Sequence, residues 1–249
     1  FAAVSPCVAY DFPWWSNHRD PRGFHRYVGN NNADKLVLHG FLYDKVRNTH
    51  NNHTATIILH STGCFIVCFS MANPTFASMV NRVVFIDAPF YGSDLANFLD
   101  RRPGANTVAN LKLDTSDANI RHLCRGGETI WEMHHLPLNI PAAHIGLVIG
   151  TKRGRYGWLL PSVMLAYDTA RYPSIVAVGM KDRYRQGLHH SDGIVPVTSQ
   201  NLRSRVPDIP EANVVEIPQT HTGIQALQRS QMTTSRQLYN LLRDHLNAP

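Results

Sequence analysis

The feature of this sequence that most limits its fold is a series of short, continuous apolar runs separated by helical or polar stretches. Such runs are typical of strands in a parallel sheet, which are covered on both faces. They predict strands at residues 8–12, 56–59, 83–86, 144–149, 175–178 and 214–217. Strands that alternate with helices predict an α/β fold with a mostly parallel sheet, helices on its faces and right-handed crossovers.

Three stretches have the pattern of helices. Residues 33–48 repeat an apolar residue every fourth position, which marks one helix face. Residues 64–72 are almost wholly apolar and precede Asn73-Pro74, so we expect a buried helix that ends there. Residues 235–246 are amphipathic and predict a closing helix.

All 249 residues are predicted to form a single domain, because no internal repeat and no linker divides the chain. Between residues 97 and 152 the pattern loosens into polar, proline-containing stretches. In an α/β enzyme such an insertion often covers the site as a lid, and a surface excursion without a role is the alternative. The chain begins at Phe1, so we expect a processed form or a fragment.

Composition and charge exclude several classes of protein. Hydrophobic residues make up 43% and charged residues 17%, which excludes a disordered chain. The net charge is +6, but the basic residues are scattered and no nucleic-acid recognition motif is present, so no nucleic-acid partner is expected. Residues 55–72 contain His60, Ser61 and Thr62, which favours a strand, a turn and a helix over a membrane span. The sequon at Asn52 is a minor argument for secretion.

The stretch that bears most on chemistry is the junction at Ser61, where a buried strand runs into a turn and a buried helix follows at once. A serine in this position can become a nucleophile, since the sharp turn exposes its Oγ and the helix N-terminus stabilises negative charge. The backbone N–H of Thr62 would point at a developing oxyanion. Gly63 would let the helix start close to the strand. An ordinary connection with serine as a helix cap is the alternative.

Four segments resemble the α/β-hydrolase lipases and esterases. Residues 59–63, Leu-His-Ser-Thr-Gly, are similar to the G-x-S-x-G pattern, with Leu59 at the first glycine. Residues 82–94 resemble the family segment V-x-x-I-G-T-P-x-x-G-S, and residues 190–197 resemble the D-G-x-V-P segment that carries its acid. Residues 220–224 follow the last predicted strand, where the family has its catalytic histidine.

The resemblance implies a catalytic triad of Ser61, Asp192 and His221, in the order of this fold, with Thr62 in the oxyanion hole. Asp182 is the competing acid, because it lies directly after the predicted strand that ends near Met180; the Val-Pro-Val after Asp192 favours Asp192.

Other histidines are given lesser roles. We expect His60 to pack beside the turn rather than act as base, since neighbouring residues of a strand point to opposite faces. The pairs His134-His135 and His189-His190 lack the companion ligands of a zinc site, so no metal is expected.

The second oxyanion donor is harder to place. His39-Gly40 has the composition of the family's donor loop, but Gly40 precedes Ser61 by only 21 residues. The intervening helices and strands need about 40 residues or more. Residues 9–14 align better with the strand and loop two elements before the serine, and the chain is then expected to lack the first strands of the family's sheet.

The resemblance implies a serine hydrolase of carboxylic esters that forms an acyl-enzyme, needs no cofactor, and acts on a small ester or lipid, with transient contact to a lipid surface. Phe90, Tyr91 and Trp131 are candidates to line an acyl pocket. A catalytically silent protein that binds lipid or protein is one alternative, which Leu59 and the missing donor loop favour. An acyltransferase with the same triad is another.

Overall fold

A computed structural model describes residues 54–101, 123–152, 190–221, 240 and 242–243. The predicted strands at 8–12 and 175–178 and the predicted helix at 33–48 lie outside these residues, as do the two candidate donor segments, His39-Gly40 and residues 9–14. Of the predicted helix at 235–246, the described residues Asn240, Leu242 and Arg243 are helical.

The centre of the described structure is a four-stranded sheet in which every neighbouring pair is parallel. Its strands, in spatial and chain order, are β1 (Ala55–His60), β2 (Val80–Ile86), β3 (Ile145–Gly150) and β4 (Val214–Ile217). The predictions of strands at 56–59, 83–86, 144–149 and 214–217 are therefore confirmed to within a few residues. The apolar runs and the parallel pairing agree, because parallel strands need cover on both faces.

Helices and single turns connect the strands. They are α1 (Gly63–Met71), α2 (Pro74–Ala77), α3 (Asp94–Arg101), α4 (Glu128–His135) and α5 (Val197–Gln200), with 3₁₀ turns at Ala142–His144, Leu202–Ser204 and Glu211–Asn213. In α1 every residue except Phe69 is buried, as its apolar sequence predicts. The side chain of Asn73 then accepts hydrogen bonds from the N–H groups of Thr75 and Phe76, which starts α2. Among the described residues, no helix is both long enough and apolar enough to cross a membrane.

Apolar side chains of the sheet pack into two clusters, one on each face. Val83 and Phe85 of β2 belong to the larger cluster, which contains α1 and α2. Val84 and Ile86 alternate with them and pack on the other face with Leu242. The sheet is therefore covered by helical residues on both faces, and the α/β class is confirmed.

The expectation that residues 56–59 are buried on both faces is wrong. Thr56 and Ile58 are exposed, with 38% of Ile58 accessible, whereas Ala55 and Leu59 are buried. Among the described strands β1 lies at the edge of the sheet, and the second apolar cluster does not include any of its residues. Its alternate residues therefore face solvent.

The region predicted as an insertion, 97–152, includes β3, so any lid concerns the residues before that strand. Its described part is attached to the loop after β2. Ser93 N donates to Leu123 O at 2.7 Å, and Arg125 forms an ion pair with Asp94 at 3.0 Å. Gly92 makes this approach possible, because a Cβ there would lie 2.7 Å from the carbonyl oxygen of Leu123.

The carboxyl ends of the four strands lie along one edge of the sheet. Ser61 follows β1 directly, Asp87 follows β2 directly, and His221 comes four residues after β4. Gly150 is the last residue of β3. Parallel pairing in this register brings polar residues that are far apart in sequence to one edge, where open α/β sheets commonly bind ligands.

Candidate active site

Ser61 occupies a tight turn between β1 and α1. Its φ is +55°, a region that non-glycine residues rarely adopt and that is common at functional turns. The turn is held by the Ser61 N–H, which donates to Ile86 O at 2.9 Å, and by Cys64 N–H, which donates to Ser61 O at 3.2 Å. Leu59 points into the core beside Gly63, where an added Cβ would contact the Leu59 Cβ at 3.5 Å. The leucine at the family's glycine position is therefore accommodated by packing.

Asp192 is held by its own loop. Its Oδ1 accepts hydrogen bonds from the N–H groups of Ile194 (2.9 Å) and Val195 (2.8 Å), which closes the turn that Asp-Gly favours. Gly193 has a φ of +102° in this turn. The Oδ2 atom accepts from His221 Nδ1 at 2.7 Å and from Gln200 Nε2 at 3.3 Å. Each oxygen of this buried carboxyl group therefore accepts two hydrogen bonds.

His221 lies between Asp192 and Ser61. Its Nδ1 contacts Asp192 Oδ2 at 2.7 Å, and its Nε2 contacts Ser61 Oγ at 3.0 Å. The backbone N–H of His221 also donates to Asp192 O at 2.9 Å, so the two loops are fixed to each other. Because a carboxylate only accepts, Asp192 selects the tautomer with the proton on Nδ1, which leaves Nε2 to accept the proton of the serine hydroxyl.

The charge state of His221 is set by opposing effects. Burial lowers the pKa of His221, but the charge of Asp192, the hydrogen bond to Asp192 and the charge of Asp87 together outweigh it. The pKa is therefore raised above its ordinary value near 6.5. The imidazole becomes a stronger base than a free histidine, which suits proton abstraction from a hydroxyl.

Thr62, the predicted oxyanion donor, stands at the N-terminal end of α1 with helical backbone angles. Among the described residues, no group accepts a hydrogen bond from its N–H. This N–H lies directly after the Ser61 turn and at the positive end of the helix dipole, so it is available to an anion there.

The prediction that His60 points away from the site is wrong. Its ring centroid lies 4.7 Å from that of His221, and its Nε2 is 3.9 Å from Asp87 Oδ2. The alternation of a strand does not continue through Ser61, because the positive φ of Ser61 reverses the chain there. Burial and the charge of His221 lower the pKa of His60 to about 3, so His60 is neutral. It is a neighbour of the site, as predicted, and does not titrate with His221.

Sequence reasoning missed Asp87, a fully buried carboxyl directly after β2. Its φ is +50°, and its segment resembles a family pattern with glycine at this position. Its Oδ1 accepts a hydrogen bond from Gly150 N–H at 2.9 Å, whereas Oδ2 has no hydrogen-bond partner and lies 3.7 Å from His221 Nδ1. Burial and the charge of Asp192 raise the pKa of Asp87 to about 8, against the opposing effects of His221 and the Gly150 N–H.

Gly150 and Gln200 link the two carboxyl groups. The Gly150 N–H lies 2.9 Å from both Asp87 Oδ1 and Gln200 Oε1, and Gln200 Nε2 reaches Asp192 Oδ2 at 3.3 Å. A Cβ at Gly150 would be 2.7 Å from Asp87 Oδ1 and 2.8 Å from Asp192 Cβ. Only glycine leaves room for both acids. No local sequence pattern marks Gln200, because its hydrogen bonds to Gly150 and Asp192 depend on the assembled fold.

One group of side chains has the composition of a metal site. His60, Asp87 and His221 each offer a ligand atom, and these atoms lie within 4.8 Å of one another. Both ring nitrogens of His221, however, already contact Asp192 and Ser61. Metal binding by His221 would break one of these contacts, so the geometry fits the hydrogen-bonded chain better than a resident ion. His134 and His135 instead contact the carbonyl oxygens of Phe90 and Trp131.

The remaining predicted residues are distributed as follows. Asp182 and His189 lie outside the described residues, and His190 is exposed. Phe90 is fully buried in the core against Phe85, at a centroid distance of 4.9 Å, and so does not line an open acyl pocket. Tyr91 stacks on His134, and Trp131 is 61% exposed.

A parallel sheet with helices on both faces, a serine in a strand–helix turn, and a histidine and an acid after later strands define an α/β-hydrolase-like fold. No family model and no curated protein matches the sequence.

Two solved structures are similar to the chain. Lipase BlEst2 of Bacillus licheniformis, in its mature form, has 17% identity and a TM-score of 0.46, and the match covers 72% of this chain and 63% of that one. Phospholipase PlaB of Legionella pneumophila has 18% identity and a TM-score of 0.42, with 68% and 33% covered. The chain spans less than two thirds of the length of either protein.

Proposed function

We propose that this protein is a serine hydrolase of carboxylic esters, of the lipase or esterase type. The observation that carries the proposal is the continuous chain of contacts from Ser61 Oγ to His221 Nε2 (3.0 Å) and from His221 Nδ1 to Asp192 Oδ2 (2.7 Å). The choice of esters as substrates rests on the resemblance of residues 59–63, 82–94 and 190–197 to lipase segments.

In the proposed reaction, Ser61 Oγ attacks the ester carbonyl carbon while its proton passes to His221 Nε2. The Thr62 N–H donates to the resulting oxyanion. The C–O bond to the alcohol then breaks, and the alcohol leaves with the proton from His221. A water molecule attacks the acyl-enzyme, giving its proton to His221, and the acid product departs as Ser61 regains a proton. Asp192 holds the ring in place and stabilises the imidazolium.

Covalent labelling tests the nucleophile. A fluorophosphonate probe should label the protein at Ser61, and Ser61→Ala should abolish labelling and ester hydrolysis while the circular dichroism spectrum stays unchanged. The matched control is Ser78→Ala, since Ser78 is exposed and its hydroxyl only donates to Thr75 O. Labelling that persists in Ser61→Ala would reject the assignment, and an absence of any labelling would favour the catalytically silent alternative.

The acyl acceptor needs a second measurement. With a short-chain ester and an added alcohol, a hydrolase releases mainly the free acid, whereas an acyltransferase forms mainly the new ester. Product analysis of the wild-type protein therefore separates these two activities of one triad.

A further inference from the structure

Asp87 gives the imidazole of His221 a second acidic neighbour. Its Oδ2 lies 3.7 Å from the same nitrogen, Nδ1, that contacts Asp192 Oδ2 at 2.7 Å. A difference of 1.0 Å between these two distances is within reach of a small side-chain rotation. Nδ1 therefore has one acceptor in contact and another beside it.

The surroundings of the two acids differ in a way that suits different roles. Asp192 accepts four hydrogen bonds, and its ionised form is well satisfied. Asp87 accepts one, from Gly150, and its Oδ2 is buried without a partner. A buried oxygen with no donor is costly, so such an atom in a native site calls for an explanation. A hydrogen bond from His221 Nδ1 to Asp87 Oδ2 that forms only in some states of the reaction would explain this atom.

We propose that Asp87 is a second carboxyl group that positions His221. Asp87 and Asp192 lie on the same side of the ring, and Asp87 accepts the hydrogen bond from Nδ1 when Asp192 does not. This inference rests on the proposed function. When His221 accepts the serine proton, the positive charge of the ring lowers the pKa of Asp87 and so favours a closer contact between the two side chains. Asp87 touches neither the serine nor the reacting carbonyl and acts through the histidine.

The local construction supports this role. Gly150 makes room for both carboxyl groups and donates to Asp87 through its N–H, and Gln200 joins that N–H to Asp192. Among the described residues, the titratable groups that face Asp87 are Asp192, His221 and His60. His60 is neutral throughout the range in which His221 titrates, so it does not provide the charge.

A double-mutant cycle in the full chain tests the proposal. Replacing a triad Asp by Asn lowers kcat on a scale of about 10⁴-fold. We expect Asp192→Asn to retain activity above that floor, and Asp87→Asn to lower it about tenfold more in the Asp192→Asn background than in the wild type, as for groups that share a partner. Equal effects in the two backgrounds would overturn the proposal.

The pH profile separates positioning from a structural role. Asp87 and His221 influence each other's pKa and titrate as a coupled pair, so Asp87→Asn should change the acid limb of kcat/KM, which then reflects His221 without Asp87. A merely structural effect would lower kcat and leave the limb in place, and that result would also contradict the proposal. Asp94→Asn is the matched control, since Asp94 is a half-buried carboxylate that pairs with the exposed Arg125, and its limb should not move.

A second variant of Asp87 and a labelling measurement complete the test. Asp87→Gly provides a second variant, because glycine accepts the +50° φ of this position without strain, and it should behave as Asp87→Asn does. Fluorophosphonate labelling of Ser61 is measured in parallel. If Ser61 is labelled in the wild type and the two carboxyl variants act independently, only this inference fails; if Ser61 is never labelled, the proposed function fails with it.

Discussion

At the scale of single residues, the site depends on two side chains with unusual backbone angles, Ser61 and Asp87. Both follow a strand directly and both have φ near +50°, which costs backbone energy of the order of 1 kcal/mol or more. The strain at Ser61 turns its Oγ toward His221, and the strain at Asp87 turns a carboxyl toward the same ring. Neighbouring strands therefore present a serine hydroxyl and a carboxyl group at one edge of the sheet.

The raised pKa of His221 makes a prediction about catalysis. The neutral ring is needed as base, so kcat/KM for a short-chain ester should fall as pH decreases, with a midpoint above the ordinary histidine value near 6.5. The measurement is a pH–rate profile over mildly acidic to neutral pH, with folding verified at each point.

Two variants identify the group responsible for this acid limb. His60→Gln should keep the limb, because His60 has a pKa of about 3 and is neutral throughout the range. His221→Gln should remove it together with most activity. A limb that survives in His221→Gln, or a flat profile in the wild type, would show that His221 is not the base.

Several features of the site could be predicted from sequence, and others could not. A strand–Ser–helix junction and an Asp-Gly turn are local patterns, so Ser61 and Asp192 were identifiable, and the structure brings both into contact with His221. His60 was misjudged because strand alternation was extended through a residue with positive φ. Asp87 was missed because its neighbours are Gly150 at the end of β3 and His221 after β4, and no local pattern reports such contacts.

At the scale of secondary-structure elements, the carboxyl end of β3 decides whether the two acids can coexist. Gly150→Ala should destabilise the protein by about 1–3 kcal/mol, the range for overpacking, because the new Cβ would lie 2.7 Å from Asp87 Oδ1 and 2.8 Å from Asp192 Cβ. Activity should fall as well, since both carboxyl groups would shift. Urea unfolding and ester hydrolysis measure the two effects.

Gly63→Ala is the matched control for this change. The nearest atom to its new Cβ would be Leu59 Cβ at 3.5 Å, an ordinary contact, and alanine favours a helix over glycine by about 1 kcal/mol. The stability of Gly63→Ala should equal or exceed that of the wild type. If Gly150→Ala is as stable as Gly63→Ala, then the close approach at the end of β3 does not constrain the fold.

The strands show the same contrast: their positions follow from the local sequence, whereas their neighbours in the sheet do not. The apolar runs locate β2, β3 and β4 to within a few residues, because burial in a parallel sheet requires such runs. The exposure of Ile58 could not be predicted, because nothing in the sequence of β1 indicates that this strand lies at the edge of the described sheet. Which strands neighbour each other is a property of the assembled sheet.

For the molecule as a whole, the buried Asp87 links stability to pH. Its folded pKa of about 8 exceeds the ordinary value of 3.8, so between these values the folded protein holds a proton that the unfolded chain has lost. This carboxyl therefore lowers the free energy of unfolding as pH rises through that range. Asp87→Asn removes the titration, so its stability relative to the wild type should increase from pH 4 to pH 8.

Urea unfolding midpoints at several pH values provide the test, with Asp94→Asn as the comparison variant. The Asp94 variant should show no comparable increase, because its partner Arg125 is exposed. A stability difference between Asp87→Asn and the wild type that is independent of pH would mean that Asp87 is ionised in the folded protein.

The location of the site at the ends of separate strands has a consequence for the synthesis and folding of the chain. His221 lies 160 residues after Ser61 in the sequence, and the two meet only once β1 to β4 are paired in register. A growing chain on the ribosome therefore carries its serine without its base until residue 221 has been synthesised. Under the proposed function, such a nascent chain has a serine without a general base and does not cleave esters.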